Sequence, residues 1–157
     1  MNRLWAPWRI KYIAGKKQKK CIFCVSQKTG KRNYVLFKTG YSIAMLNIFP
    51  YNNGHLMVSP KRHIRDISRL NDAEVLDLFR AVSKAKNLLA KTLSPAGFNI
   101  GINMSGAAGA GIPGHLHIHI VPRWNGDTNF MPVLHNTKVI SQSLKELHKQ
   151  LKHAQSK

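Results

Sequence analysis

"GAAGAGIPGHLHIHI", residues 106–120, carries a histidine at every second position from 115 to 119, directly behind a run of glycine and alanine. A period of two is that of a β-strand, whose successive side chains leave on opposite faces. His115, His117 and His119 are therefore expected on one face, roughly 7 Å from one to the next. Leu116, Ile118 and Ile120 fall on the other, which should lie against the core and leave the imidazoles to line the opposite surface. Three aligned imidazoles make poor packing and good chemistry. A neutral imidazole is a nucleophile near pH 7, and a hydrogen bond to one ring nitrogen decides which nitrogen stays free. Metal binding is the other use. Gly106, Gly109, Gly111 and Gly114 let backbone N–H groups converge on an anion, which favours a phosphorus centre over a carbonyl.

Outward from the histidines, the chain reads as α+β with a mainly antiparallel sheet. "NYVLFK" (33–38) and "YSIAMLNI" (41–48) read as strands around a turn at Thr39-Gly40. "HLMVS" (55–59) follows the turn "FPYNNG" (49–54), and "FNIGIN" (98–103) precedes the glycine-rich loop. Asn71 with Glu74 forms a capping-box pattern, with Leu70 and Val75 as a hydrophobic staple. The spacing then predicts one long helix over about 71–94, with Val75, Phe79, Val82, Leu89 and Leu93 on its apolar face, ended by Ser94-Pro95 and Gly97. Val139, Ile140, Leu144, Leu147 and Leu151 predict a C-terminal helix near 138–153 with a basic tail behind it. Residues 1–20 read as an aromatic arm, "RLWAPWRIKYI", and a basic connector.

At 157 residues the chain is expected to form a single domain with a core of its own. Apolar runs of about 18 residues, as a membrane helix needs, are absent, and so is a signal-peptide pattern; the expected location is the cytoplasm. Lys and Arg number 25 against six acidic residues, a formal charge of +19. Such a field favours polyanions, nucleotides and nucleic acid among them, without choosing one. Cys21 and Cys24 are the two cysteines, too few for a disulfide framework. Their Cys-x-x-Cys spacing can clasp a metal ion; a redox pair or plain buried thiols remain alternatives.

"GHLHIHIVPR" (114–123) resembles the histidine triad (HIT) motif, His-φ-His-φ-His-φ-φ with φ apolar, of a family of nucleotidyl hydrolases and transferases. The resemblance extends to "LNIFPYNNGHLMVSPKRH" (46–63), "LWAPWR" and "PRWNGDTNFMPV" (122–133), the last two similar to a prokaryotic branch that includes diadenosine tetraphosphate phosphorylases. It implies the HIT-like fold, a homodimer, and roles at the matching positions. His117 would attack the α-phosphorus and carry a covalent nucleotidyl-imidazole; His119 would contact the phosphate; His115 would support the ring geometry or bind metal. Backbone N–H groups near Gly111 and Ile112 would meet the charge on phosphate oxygens, and Asn47 would hold the ribose hydroxyls. The family's usual glutamine four residues before the first histidine is Gly111 here, so Asn103 and Ser105 become the candidate polar phosphate contacts. Some members carry a structural zinc; the matching ligands are Cys21, Cys24, His63 and His115. His55 is the rival ligand, read as a packing residue, and His135, His148 and His153 read as surface.

These features leave several functions open. The leading one is cleavage of dinucleoside polyphosphates, with water or phosphate as the second acceptor. Hydrolysis of adenosine phosphoramidates and aprataxin-like removal of AMP from nucleic-acid ends stay within the same chemistry. A non-catalytic, zinc-stabilised module binding nucleotide or RNA is the alternative outside it, opposed by the intact His117.

Overall fold

The alternating apolar stretches become one sheet in the computed structural model, which describes residues 20–28, 34–128 and 140–156. Strands β1 (Val35–Lys38), β2 (Ser42–Leu46), β3 (Leu56–Pro60), β4 (Gly97–Ile102) and β5 (Ile118–Arg123) pair in the order β1-β2-β3-β5-β4. Every pair is antiparallel. Among the described residues, three α-helices accompany them: α1 (Ile22–Lys28), α2 (Asp72–Leu93) and α3 (Leu144–Gln155). The N-terminal arm expected over 1–20 and His135 lie outside the described residues, apart from Lys20. Among the described residues, no helix is long and apolar enough to cross a membrane.

β2 and β3 are buried at every position, because both faces of the sheet are covered. One face meets α2 and α3 across the main core, which includes Ala44, Leu46, Leu56, Val58, Leu116, Ile118 and Ile120. The other carries Met45 and Met57, packed with Phe23 of α1. The β2–β3 connection closes on Gly54, whose φ of +78° suits glycine; a Cβ there would come within 2.7 Å of Leu93 Cδ1. That close approach locks the turn onto the end of α2.

α2 starts on the expected capping box. Asn71 Oδ1 accepts from Glu74 N at 2.9 Å and Glu74 Oε2 accepts from Asn71 N at 3.0 Å. It ends where Ser94 turns left-handed at φ 45°. The buried face differs from the expected one. Leu78, Ala81, Val82, Ala85, Leu88 and Leu89 face the core, while Val75 and Phe79 are exposed. Ala81 and Ala85 let the helix approach the sheet closely, and small residues add little to an apolar pattern read by size. α3 begins later than the expected 138, because Ser143 caps it by accepting from Glu146 N at 3.2 Å. His148, read as surface, instead faces the Val35 carbonyl at 3.0 Å with its ring edge-on to Tyr34. His153 is exposed, as expected.

Candidate active site and metal cluster

The triad alternates as the sequence requires, although the ladder starts only at Ile118, so His115, in a bend, and His117 precede β5. The three imidazoles do not line an open surface. His115, His117 and His119 are 1%, 3% and 9% exposed, because α1 and the 48–55 turn cover their side of the sheet. Phe23 lies 5.1 Å, centroid to centroid, from both His115 and His117, and Tyr51 covers His119 at 5.8 Å. Apolar cover lowers the proton affinity of every ring here. Burial holds His117 below its ordinary value, opposed by a hydrogen bond to the His115 carbonyl. Burial, then the neighbouring His117, bring His119 to about 4. The rings are neutral at pH 7.

Backbone groups then assign each tautomer. His117 Nδ1 sits 2.8 Å from the His115 carbonyl, which can only accept, so Nδ1 holds the proton. Nε2 keeps its lone pair and has no protein partner among the described residues. His115 Nε2 donates to the Pro60 carbonyl at 2.8 Å, which turns the lone pair of Nδ1 the other way.

His55, expected only to pack, orders the third ring. It is wholly buried, and its Nδ1 accepts from Tyr51 N at 3.1 Å. The proton must therefore reside on His55 Nε2, which donates to His119 Nδ1 at 2.9 Å. His119 Nδ1 accepts that bond, so its own proton lies on Nε2. Burial, with the nearby His119 and His117, lowers His55 to about 3, so the relay stays neutral. No motif in the sequence links His55 to His119; the link arises because β3 and β5 pair Met57 with His119.

Asn47 lies at the end of β2, where its Oδ1 accepts from Phe49 N at 2.9 Å and its Nδ2 meets His55 Nδ1 at 3.3 Å. It shapes the turn beside the triad. Within the glycine-rich loop, Ser105 is left-handed at φ 70° and its carbonyl accepts from Ala110 N at 3.2 Å. Asn103 Nδ2 reaches toward the Gly109 carbonyl at 3.5 Å, bracing the loop from inside. Ile112 packs against the Phe23–Met45–Met57 cluster, and Gly111 is exposed beside it. Loop and triad are thus joined through the same apolar group.

Cys21, Cys24, His63 and His115 present four ligand atoms within 4.8 Å of one another, a cluster that could hold a metal ion. Cys21 Sγ and Cys24 Sγ lie 3.2 and 3.7 Å from His115 Nδ1. Cys24 Sγ lies 3.3 Å, and His115 Nδ1 3.1 Å, from His63 Nδ1. Ligand edges of a tetrahedral Cys₂His₂ site come to roughly 3.3–3.8 Å from ordinary zinc–nitrogen and zinc–sulfur lengths. The spacing fits such a site, as does the lone pair of His115 Nδ1, which faces the cluster. Burial and the adjacent Cys21 push the Cys24 thiol up, the penalty that a bound dication would remove. His55 takes no part in it.

The rest of the fold holds this corner in place. Arg62 binds the Glu74 carboxylate through Nε at 2.8 Å and Nη2 at 2.7 Å, fastening the residue before His63 to the start of α2. The Arg62 bonds and the Asn71 amide hold the Glu74 carboxyl down at about 2. Gln27 Nε2 donates to the Lys61 carbonyl at 2.6 Å, tying α1 to the same segment.

A family model described as the HIT domain matches residues 28–126. The AP-4-A phosphorylase of Mycobacterium tuberculosis is 34% identical over 161 residues, spanning 96% of this chain and 83% of that protein. The asymmetrical bis(5'-nucleosyl)-tetraphosphatase of Schizosaccharomyces pombe is 37% identical over 93 residues, 59% of this chain and 50% of that protein. Among solved structures, a zinc-bound histidine triad family protein from Mycobacterium smegmatis superposes with a TM-score of 0.71 at 25% identity, covering 87% of this chain and 94% of that one.

Proposed function

The chain belongs to the HIT family, and from that premise we propose that it cleaves dinucleoside polyphosphates through a covalent nucleotidyl intermediate on His117. The observation that carries this reading is the His117 ring itself, with Nδ1 held by the His115 carbonyl and Nε2 left with a free lone pair. In the first step Nε2 attacks the α-phosphorus, a P–N bond forms, and the bond to the bridging oxygen breaks. The Nε2–H of His119 donates to a phosphate oxygen and orients the group. Main-chain N–H groups near Gly111 and Ile112 meet the charge that builds on the nonbridging oxygens. In the second step water or inorganic phosphate displaces the imidazole, releasing a nucleoside monophosphate or diphosphate.

Asn47 retains a lone pair on Oδ1 for a ribose hydroxyl, and Asn103 and Ser105 are the polar side chains nearest in sequence to the phosphate-binding loop. The cluster of Cys21, Cys24, His63 and His115 suits zinc, which at a closed four-ligand site pins α1 to the sheet. The zinc-bound neighbour from M. smegmatis supports that choice. A homodimer fits the exposed apolar residues left by α2. Val75 and Phe79 share a stripe with Lys86, which stands over the Phe98 ring of β4, and Ile100 is exposed on the same side of that edge strand.

Product analysis with diadenosine tetraphosphate, with and without inorganic phosphate, tests the function. ADP plus ATP, formed only with phosphate, identifies a phosphorylase; AMP plus ATP, or two ADP, identifies hydrolysis at different bonds. No cleavage by wild-type protein rejects this substrate class and turns attention to adenosine phosphoramidates and adenylated nucleic-acid ends.

A further inference from the structure

Between the two cysteines of the metal cluster sits a residue whose position the Cys-x-x-Cys spacing does not foretell. Phe23 is completely buried, the largest side chain of the small core on the triad face of the sheet. Its ring lies at 5.1 Å from the His115 ring at 51°, and at the same distance from the His117 ring at 38°. It therefore touches one imidazole of the metal cluster and the imidazole that carries the reaction. Met45 and Met57 back it from the sheet and Ile112 joins from the glycine-rich loop, so the ring has no room to retreat. The main chain offers a second route between the same two histidines, since the His115 carbonyl fixes His117 Nδ1.

We propose that Phe23 is a positioning residue for His117, and that the clasp of Cys21 and Cys24 sets the nucleophile by pressing this ring against it. α1 is only seven residues long, too short to hold a fixed place on helical propensity alone. Gln27 holds its far end to the Lys61 carbonyl, and its start is held by the pair of sulfurs on either side of Phe23, each within hydrogen-bonding range of a cluster histidine. With the clasp closed, the phenyl ring leaves His117 one place to stand. With the clasp open, α1 can shift, and the His117 ring gains freedom to turn about its own torsions while the His115 carbonyl alone restrains it. The metal cluster is thus more than a staple for the N-terminal segment: it acts on the reaction through an apolar wedge.

The inference rests on His117 as the nucleophile, and its test includes a reading that does not depend on turnover. Wild type, Phe23→Leu and Phe23→Met are prepared with zinc bound and after chelator stripping. Ile22→Ala serves as the structural control, being packed on the same cluster and having no ring to press on His117. Formation of the nucleotidyl-enzyme is followed in single turnover with diadenosine tetraphosphate, AMP affinity by calorimetry, and the His117 ring by its nitrogen NMR signals in nucleotide-free protein. Stripping zinc and replacing Phe23 should each slow nucleotidyl transfer roughly tenfold to hundredfold, the scale set by misplacing a reacting group. AMP affinity should change less than about threefold. The two perturbations together should do little more than either alone, because they act on one contact. Ile22→Ala should lower the unfolding temperature and leave the transfer rate of the folded protein intact.

A folded Phe23 variant with the wild-type transfer rate overturns the proposal, as do fully additive effects of stripping and substitution. If wild type forms no nucleotidyl-enzyme at all, the reading of His117 as nucleophile falls, and the NMR signals decide the positioning alone. A single sharp ring state that broadens on stripping and in both Phe23 variants supports it; identical signals throughout reject it.

Discussion

Replacing His55 by phenylalanine should impair catalysis from a residue that need never touch the substrate. The aromatic volume is kept, but all three nitrogen contacts go: the bond from Tyr51 N at 3.1 Å, the contact with Asn47 Nδ2 at 3.3 Å, and the donation to His119 Nδ1 at 2.9 Å. The last matters for rate. His119 Nδ1 would be left buried without a donor, which costs about 1–3 kcal/mol. The cheapest escape moves the His119 proton from Nε2 to Nδ1 or rotates the ring. Either takes the Nε2–H away from the phosphate. If the transition state loses the same 1–3 kcal/mol, kcat falls roughly fivefold to hundredfold. KM should rise less than kcat falls, because only the Asn47 Nδ2 contact, at 3.3 Å, ties His55 to the side chain proposed for the ribose. Loss of the bond from Tyr51 N should also lower unfolding stability, by about 1 kcal/mol. His55→Gln, whose amide can accept with Oε1 and donate with Nε2, should recover part of both losses. Steady-state assay of nucleotide products, beside denaturant unfolding of the same preparations, separates the two effects. A folded His55→Phe protein with kcat within twofold of wild type would refute the relay.

Cys21→Ser should abolish stoichiometric zinc, read by elemental analysis, and lower the unfolding temperature; a wild-type protein purified fully stable and metal-free would reject the site. Stability should fall in acid because His55 is held near 3 against an ordinary 6.5. The unfolded chain takes up a proton that the folded one refuses, so this contribution is complete above about pH 6.5 and shrinks as pH drops toward 3. It should amount to a loss of about 2 kcal/mol by pH 5, checked by urea unfolding across that range, with a flatter slope in His55→Phe. Asn71→Ala removes the acceptor for Glu74 N and should cost about 1 kcal/mol of stability, with kcat of the folded protein unchanged. Phe79→Asp should convert a dimer to monomers in sedimentation; a dimer that persists would place the interface elsewhere.

The strand period at the triad and the cap of α2 are followed by the structure. The alternation of residues 115–120 put Leu116, Ile118 and Ile120 in the core and the histidines opposite, and Asn71 with Glu74 marked the start of α2 to the residue. The four metal-cluster residues, suggested by family resemblance, meet in space although 94 residues separate Cys21 from His115. What was hidden depended on tertiary contact. The core face of α2 turns on Ala81 and Ala85, which matter for how closely the helix approaches and not for how apolar they are. His148 read as surface because its partner, the Val35 carbonyl, comes from β1 at the far end of the chain. His55 and Phe23 gave no signal of their own: one acquires its role from the register of β3 on β5, the other from a fold-back of α1 over the triad.

The most direct test of the proposed chemistry is the bond between phosphorus and His117 Nε2. Wild-type protein mixed with diadenosine tetraphosphate, quenched within one turnover under conditions that preserve phosphoramidates and digested for peptide mass analysis, should yield a nucleotidylated peptide with the group on His117, absent from His117→Ala. A wild-type protein that turns over the substrate with an unmodified His117 at every quench time, or a His117→Ala protein that retains the wild-type rate, would contradict it.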